Sequence, residues 1–283
     1  MVREIVASIL IVLAVLYLSS YCVLRSQQAR LIFFPNSEIE STPQDYDLSY
    51  QDVWLDVGQE RVHGWWVPAA QASAPALLYF HGNGSNNGDH SDIAALFHQL
   101  DLAVLLIDYR GYGRSSQIFP SEASVYEDAE AAWQYLIEQQ QLKPEQILAY
   151  GHSLGGAIAI ELATKHPDLA GLIVEGTFTS IRAMASLTPA LRLFPLSWLI
   201  TQRFDSIAKI ESLKMPILLL HGKQDDIVPS YMSAELFAAA SEPKQLEFFP
   251  EAGHNNLPEL NHERFLTVLR HFIELAQSDR VDS

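Results

Sequence analysis

The sequence predicts an α/β fold in which a mostly parallel sheet of eight strands carries helices on both faces. Short apolar runs alternate with longer helical patterns along most of the chain. Several runs are apolar at every position, as in strands that are buried on both sides. A turn of the type Gly-x-Ser-x-Gly also joins one apolar run directly to a helical pattern. At 283 residues, with 48% hydrophobic content, the chain is long enough to fold around one large core.

The first thirty residues differ in kind from the rest. Residues 5–24 contain no charged side chain. A helix of this length, at about 1.5 Å per residue, matches the roughly 30 Å hydrocarbon core of a bilayer. Tyr17 and Tyr21 lie toward one end of the run, and aromatic side chains are common at membrane interfaces. We therefore expect residues 1–30 to be an N-terminal membrane anchor with one transmembrane helix, and residues 31–283 to form the folded domain.

Two other interpretations of residues 5–24 stay open. A cleaved signal peptide would have a shorter apolar core and a cleavage site between small residues, which Ser19-Ser20-Tyr21-Cys22 matches poorly. A helix buried in a soluble core would not normally be apolar all round. Orientation does not follow from the positive charges, because Arg3 precedes the run while Arg25 and Arg30 follow it. The expected location is a membrane, with the side left open.

Eight short apolar runs predict the strands. They cover residues 53–57, 62–67, 76–80, 103–108, 146–150, 171–175, 216–220 and 246–249. The first two are expected to pair antiparallel. Helical patterns lie between the later runs, near residues 91–100, 122–141, 155–165, 231–240 and 260–277. Ligands of such sheets bind beyond the carboxyl ends of the strands, so the loops that follow the strands are the candidates for a site.

An insertion at about residues 177–214 separates two of the strands. Its segment 187–200 is apolar and is interrupted by Pro189 and Pro195, which is unlike a surface loop. We interpret it as a lid over an apolar pocket; the alternative is ordinary packing onto the body of the domain. The apolar surface is expected to come from Leu187, Leu191, Phe194, Leu196, Trp198 and Leu199.

Composition excludes some classes of function. The formal charge is −16 and no cluster of Lys and Arg occurs. Nucleic acid is therefore not an expected partner, because phosphate binding needs concentrated positive charge. Cys22 is the only cysteine, so no intramolecular disulfide can form, and no Cys/His group has the spacing of metal ligands. We expect neither a metal ion nor a cofactor.

The stretch Gly151-His152-Ser153-Leu154-Gly155 predicts a nucleophile elbow, the sharp strand-to-helix turn that exposes a catalytic serine. The serine is held in a strained conformation, so the residues two before and two after it must be small. An apolar strand pattern precedes the stretch and a helical pattern follows it. This context favours Ser153 as a nucleophile over an ordinary glycine-rich turn.

A serine hydroxyl needs a base to take its proton, and the base needs a carboxylate that fixes its tautomer. Asp225 and His254 both follow predicted strands. His254 lies beside Gly253, after the last strand and before the terminal helix, which favours it over the other nine histidines. Asp226 is adjacent to Asp225, and successive side chains of an extended segment point in opposite directions, so we expect only Asp225 to face His254.

Two other sets of residues complete the expected site. Backbone N–H groups should stabilise the oxyanion, one from Leu154 after the nucleophile and one from Asn83 in the loop after the third strand, with Gly84 as the next candidate. His81 and His221 also follow strands, as His-Gly pairs. We interpret these two histidines as structural.

With these residues in view, the chain from about Leu31 onward resembles the α/β-hydrolase superfamily. More narrowly, it resembles the membrane-anchored serine hydrolases related to the bud-emergence-type proteins. The matching segments are residues 31–35, 81–84, 108–115, 151–155, 221–229 and 253–255. The family pattern often has Ala where this chain has Gly84. The order Ser, Asp, His along the chain is also that of α/β hydrolases.

The resemblance implies a hydrolase without a cofactor, with Ser153 as nucleophile, Asp225 as acid and His254 as base. Some relatives act on acyl-protein thioesters and others on monoacyl lipids. We therefore expect hydrolysis of carboxylic esters or thioesters of small-molecule or lipid-like acyl groups through an acyl-enzyme. An amidase or peptidase is the nearest alternative, because the triad does not distinguish esters from amides. A membrane-tethered binding protein on an inactive scaffold is a further one, against which the intact set of three residues argues.

Overall fold

A single sheet of eight strands forms the centre of the molecule in the computed structural model, which describes residues 1–71 and 73–278. The strands in chain order are β1 (Gln51–Val57), β2 (Glu60–Val67), β3 (Ala76–Phe80), β4 (Ala103–Asp108), β5 (Ile147–His152), β6 (Gly171–Glu175), β7 (Ile217–Gly222) and β8 (Lys244–Phe249). Across the sheet their order is β1-β2-β4-β3-β5-β6-β7-β8. Strand β2 is antiparallel to both β1 and β4, and strands β3 to β8 are all parallel. The predicted eight-stranded, mostly parallel sheet is confirmed.

Helices connect the strands and cover both faces of the sheet. They are α1 (Val2–Gln27), α2 (Ala29–Ile32), α3 (Ser91–His98), α4 (Glu122–Gln134), α5 (Leu154–Lys165), α6 (Ile181–Leu187), α7 (Leu196–Leu199), α8 (Ser206–Ile210), α9 (Tyr231–Ala239), α10 (Leu257–Leu260) and α11 (His262–Ser278). Helices α4, α5, α8 and α9 contribute to the core on one face, and α3, α10 and α11 to the core on the other. The predicted helices on both faces are therefore also confirmed.

Alternation along the strands produces these two cores. Leu78 and Phe80 of β3 pack into the first core, whereas Leu77 and Tyr79 pack into the second. Successive side chains of a strand point to opposite faces, so a strand covered on both sides must be apolar at every position. All five residues of β3 are buried, as its unbroken apolar pattern requires.

Two helical patterns are divided in the structure. The pattern at 122–141 becomes α4 followed by a π-helical turn at Tyr135–Gln139, in which the Gln140 N–H donates to the Tyr135 carbonyl. The pattern at 260–277 becomes α10 and α11, with a break at Asn261 where the backbone leaves helical geometry. The strands reach at most two residues beyond their predicted ends.

Helix α1 is long and apolar enough to cross a membrane, and none of its side chains is buried in the protein. The predicted apolar run is thus one continuous helix that extends a few residues beyond it at both ends. The insertion after β6 contains α6, α7 and α8.

Candidate active site

Ser153 occupies the sharp turn between β5 and α5. Strand β5 ends one residue before it, and α5 begins one residue after it. Its backbone has φ +54° and ψ −116°, a conformation that residues with a side chain rarely adopt. A Cβ atom on Gly151 would collide with the carbonyl of Gly155, and one on Gly155 would collide with the carbonyl of Phe80. The two glycines are therefore required by contact, as a nucleophile elbow demands.

Loops from three strands bring the predicted serine, histidine and aspartate into one chain of hydrogen bonds. The Ser153 hydroxyl lies 3.0 Å from Nε2 of His254. Nδ1 of His254 lies 2.7 Å from Oδ2 of Asp225, and it is the donor because a carboxylate only accepts. In the neutral imidazole with its proton on Nδ1, Nε2 faces the serine hydroxyl as an acceptor. The geometry is that of a nucleophile, a base and a group that orients the base.

Asp225 is buried and held by several donors. Nε2 of His221 lies 3.1 Å from the same oxygen that contacts His254, and the N–H groups of Ile227 and Val228 donate to the other oxygen at 2.9 and 2.8 Å. Burial raises the pKa of Asp225, but the hydrogen bonds from the two histidines and from Val228 outweigh it, so the pKa falls well below its ordinary value. The carboxylate therefore stays ionised beside the imidazole.

The neighbouring aspartate has a different environment. The side chain of Asp225 is 0% exposed, whereas Asp226 is exposed to solvent. Of the two, Asp225 makes the hydrogen bond to His254, and the loop bends at Asp226.

Two cavities meet at Ser153. The first, here called the apolar cavity, has a volume of about 220 Å³, and its wall includes Leu154, Phe178, Ile181, Met184, Leu191 and Ile200. The second, called the polar cavity, has a volume of about 390 Å³ and carries the carboxylates of Asp89, Asp92, Glu175 and Glu259. Ser153, Asn83 and Ile227 line both cavities. A substrate bound at Ser153 can thus place an apolar group on one side and a polar group on the other.

Only some of the apolar residues of the insertion that were expected to line a pocket do so. Leu191 lines the apolar cavity, whereas Trp198 is 74% exposed and Leu199 is buried. Helix α6 supplies Met184 and Ala185 to the same wall. One side of the insertion therefore closes the cavity, and the other side is open to the surroundings.

The loop that follows β3 is tied to the segment that follows the N-terminal helix. The Phe34 N–H donates to the Asn83 carbonyl at 3.0 Å, and the Asn83 side-chain amide donates to the Ile32 carbonyl at 2.9 Å. Tyr112 donates to the Asn83 carbonyl at 2.8 Å. Asn83 and Leu154 both line the apolar cavity beside Ser153, as donors to an oxyanion must. Their role as donors stays a prediction.

Comparison with known proteins places the chain in a family. It matches the sequence model of a hydrolase family described as serine aminopeptidase, S33, over residues 71–209 and 205–261. Protein bem46 of Schizosaccharomyces pombe is 36% identical over 239 residues, which cover 79% of this chain and 77% of bem46. The alpha/beta hydrolase domain-containing protein WAV2 of Arabidopsis thaliana is 32% identical over 250 residues, which cover 80% and 81% of the two chains. The chain belongs to the α/β-hydrolase superfamily, in the family of bem46.

Solved structures agree on the fold of this α/β hydrolase. An esterase of Pyrococcus furiosus matches with a TM-score of 0.72 at 17% identity, covering 86% of this chain and 97% of the esterase. An acylaminoacyl peptidase of Pyrococcus horikoshii matches with a TM-score of 0.66 at 14% identity, covering 80% of this chain and 41% of the peptidase. Identities this low support the fold alone.

Sequence reasoning did not place His152 and Glu175 beside Ser153, and it interpreted a third polar residue, His221, as structural. His221 shares one carboxylate oxygen of Asp225 with His254, and its Nε2 also lies 2.9 Å from the Val228 carbonyl, a contact with loop backbone. His152 donates through Nε2 to the His254 carbonyl at 3.0 Å and so fixes the loop that carries His254. Glu175 ends β6 in the polar cavity. A polar residue at the carboxyl end of an apolar strand was the available signal for Glu175.

Burial controls the protonation of two of these groups. It raises the pKa of Glu175 to about 7, against a smaller opposite effect of the hydrogen bond from Tyr150. Burial, together with the nearby His254, lowers the pKa of His152 to about 4. The polar cavity therefore has a neutral imidazole at its base and a carboxyl group that changes charge near neutral pH. Among the described residues, no group of three or more His, Cys, Asp or Glu side chains could hold a metal ion.

Proposed function

We propose that this α/β hydrolase cleaves carboxylic esters or thioesters through an acyl-enzyme. The observation that carries the proposal is the continuous chain of hydrogen bonds from Ser153 through His254 to Asp225, placed where two cavities meet. The base is within 3.0 Å of the hydroxyl that it must deprotonate, which is the distance that general-base catalysis requires.

In the proposed reaction, Oγ of Ser153 attacks the substrate carbonyl carbon while His254 Nε2 takes the hydroxyl proton. Asp225 stabilises the imidazolium that forms. The N–H groups of Leu154 and Asn83 donate to the oxyanion of the tetrahedral intermediate. Collapse of the intermediate breaks the ester or thioester bond, and the leaving group takes the proton from His254. A water molecule, activated by the same histidine, then attacks the acyl-enzyme and releases a carboxylic acid and free Ser153.

The two cavities suggest how the substrate is oriented. An acyl chain fits the apolar cavity, where each buried methylene group contributes about 0.8 kcal/mol. The leaving group then occupies the polar cavity. The substrate class is therefore a small-molecule or lipid-like acyl compound with a medium or long acyl chain.

We further propose that residues 1–30 remain as an uncleaved membrane anchor and that residues 31–283 form the hydrolase domain, with a lid at about residues 177–214. Contacts across the proposed boundary support an uncleaved anchor. The side-chain oxygen of Gln28 accepts from the N–H groups of Thr201 and Gln202 at 2.8 and 3.1 Å. Gln28 is 6% exposed but follows the candidate cleavage site at residues 19–22, so cleavage there would keep it. The contact that cleavage would remove is that of Tyr17, whose hydroxyl donates to the Leu193 carbonyl of the insertion at 3.1 Å.

A second candidate, an aminopeptidase, has an observation in its favour. Four carboxylates in the polar cavity could bind the ammonium group of a peptide N-terminus. The description of the matched family model points the same way. The apolar cavity argues against an aminopeptidase, because the N-terminal residue of a peptide would leave this cavity largely unfilled.

The test compares acyl groups on different leaving groups. The full-length protein in detergent is assayed for kcat/KM with an octanoyl ester, an octanoyl thioester, an octanoyl anilide and an aminoacyl anilide. We expect the ester or the thioester to exceed both anilides by at least about a hundredfold. Ser153→Ala should abolish turnover, whereas Ser212→Ala, which changes an exposed serine outside both cavities, should keep it. Preference for the aminoacyl anilide would favour the aminopeptidase, and full turnover by Ser153→Ala would refute both.

A further inference from the structure

The apolar segment of the insertion packs against the N-terminal helix. This segment, residues 187–200, is called the insertion tip below. The Tyr17 hydroxyl donates to the Leu193 carbonyl at 3.1 Å, and the Tyr21 hydroxyl donates to the Trp198 carbonyl at 3.0 Å. The ring of Tyr17 stacks on that of Phe194 with centroids 4.9 Å apart. The tip is therefore attached along the last turns of α1.

The position of Tyr17 sets how far the insertion tip reaches. Arg25 is the first charged residue after the uncharged run, and its guanidinium donates to the Trp198 carbonyl. Tyr17 precedes Arg25 by eight positions, which corresponds to about 12 Å along a helix. If Arg25 lies at the polar boundary of a bilayer, the contacts of Tyr17 lie well inside one leaflet of the roughly 30 Å hydrocarbon core.

The backbone of the tip is suited to that environment. A polar main-chain group in hydrocarbon needs a partner within the protein, because no water is available there. The two tyrosine hydroxyls satisfy the carbonyls of Leu193 and Trp198, and the tip in turn satisfies the hydroxyls of the helix. Pro189 and Pro195 have no N–H group to satisfy. Such pairing would be of little consequence on a surface in water.

The outward-facing side chains of the tip are also suited to a hydrocarbon environment. Leu193 and Trp198 are both 74% exposed, although they are among the most apolar residues of the segment. Arg192 is the only charged residue of the tip, and its guanidinium donates back to the Ser186 carbonyl. Exposed apolar residues beside a membrane helix indicate contact with lipid.

We propose that the insertion tip is embedded in the bilayer leaflet next to α1, and that the apolar cavity takes its acyl chain directly from this leaflet. Leu191 of the tip, Gln28 and Leu31 all belong to the cavity wall. Leu31 is 58% exposed and lies four residues after the end of α1, so the mouth of the cavity is at the membrane boundary. The proposal rests on the proposed anchor and esterase function. The substrate class is then a membrane-resident acyl ester or thioester whose chain moves sideways into the protein.

Fluorescence quenching tests the embedding without any assay of activity. In full-length protein with Cys22→Ala, Leu193→Cys carries a bimane label, and the matched control carries it at Glu145→Cys on the exposed surface. The proteins are reconstituted into phosphatidylcholine vesicles with a nitroxide on the lipid acyl chain. We expect strong quenching of the label at position 193 and little at position 145. Equal, weak quenching at both positions would overturn the proposal.

A second experiment tests the loading of the cavity. Leu193→Asp with Trp198→Asp should reduce hydrolysis of a long-chain ester in vesicles by at least about tenfold, and should change hydrolysis of a short water-soluble ester by less than about twofold. Leu260→Asp, which changes an equally apolar exposed residue on α10, should leave both rates unchanged. An equal loss on both substrates would contradict loading from the leaflet. If the unaltered protein hydrolyses neither substrate, the proposed function fails, and the quenching result still decides the embedding.

Discussion

Filling the apolar cavity should change the chain-length preference of the enzyme and leave its chemistry intact. Ala185 on α6 lines the cavity, and tryptophan at this position would occupy much of the 220 Å³ that an acyl chain needs. Each methylene excluded from the cavity costs about 0.8 kcal/mol, or about fourfold in kcat/KM. Exclusion of three methylenes would therefore lower kcat/KM for an octanoyl ester by about sixtyfold.

The assay is kcat/KM for p-nitrophenyl esters with acyl chains from C2 to C12. The unaltered enzyme should gain about fifteenfold for two added methylenes until the cavity is full. Ala185→Trp should retain its activity on the acetyl ester and lose this gain. Ala238→Trp is the matched control, because Ala238 is exposed on α9 and outside the cavity. A steady fall beyond C4 in the unaltered enzyme, or an unchanged profile in Ala185→Trp, would refute the reasoning.

Three more predictions concern the acid of the triad, a buried carboxyl and the N-terminal segment. Asp225→Asn should lower kcat by about four orders of magnitude, because His254 would hold the wrong tautomer. Asp226→Asn changes an exposed residue and should lower kcat by less than about tenfold. Reversed effects would show that the wrong aspartate was assigned. Burial raises the pKa of Glu175 to about 7 from an ordinary value of 4.5, so the folded protein binds this proton more tightly than the unfolded chain does. The folded protein therefore loses roughly 3 kcal/mol of stability as the pH rises between these two values. The melting temperature of Glu175→Gln should accordingly exceed that of the unaltered protein at pH 8 by more than at pH 5, and a pH-independent difference would contradict the assigned cause. A protein that begins at Gln27 should be soluble and active on short esters. A protein that begins at Asn36 lacks the segment that holds the loop after β3, so it should lose at least about tenfold in activity and melt at a lower temperature. Equal activity of the two proteins would show that this segment does not hold the loop.

The sheet and the sharp turn at Ser153 were predictable because their causes are local. A strand covered on both faces must be apolar throughout, and β3 shows that pattern without help from distant residues. The collisions that require Gly151 and Gly155 arise within the turn and at the adjoining strand. Alternation indicated only that one of Asp225 and Asp226 faces His254, and the loop that carries them is bent at Asp226, so the choice between them depended on the fold of the loop.

The remaining features depend on contacts between residues far apart in the chain. The shared contact of His221 and His254 with one carboxylate oxygen joins two different loops. The insertion has no regular period, since two prolines interrupt it, so its pattern could not separate Leu191 in the cavity from Trp198 on the outside. The sequence shows that such a segment is apolar, but contacts with the rest of the protein decide which of its side chains face the cavity.

The central claim is that Ser153 is the nucleophile of a working triad, and active-site labelling tests it most directly. The full-length protein is treated with a fluorophosphonate probe, digested, and the modified peptide is identified by mass spectrometry. The account predicts one adduct, on Ser153, whose formation is abolished in Ser153→Ala and slowed by about 10⁴-fold in His254→Ala, because the members of a triad act as a unit. An adduct on another residue, or undiminished labelling of a folded His254→Ala protein, would contradict it.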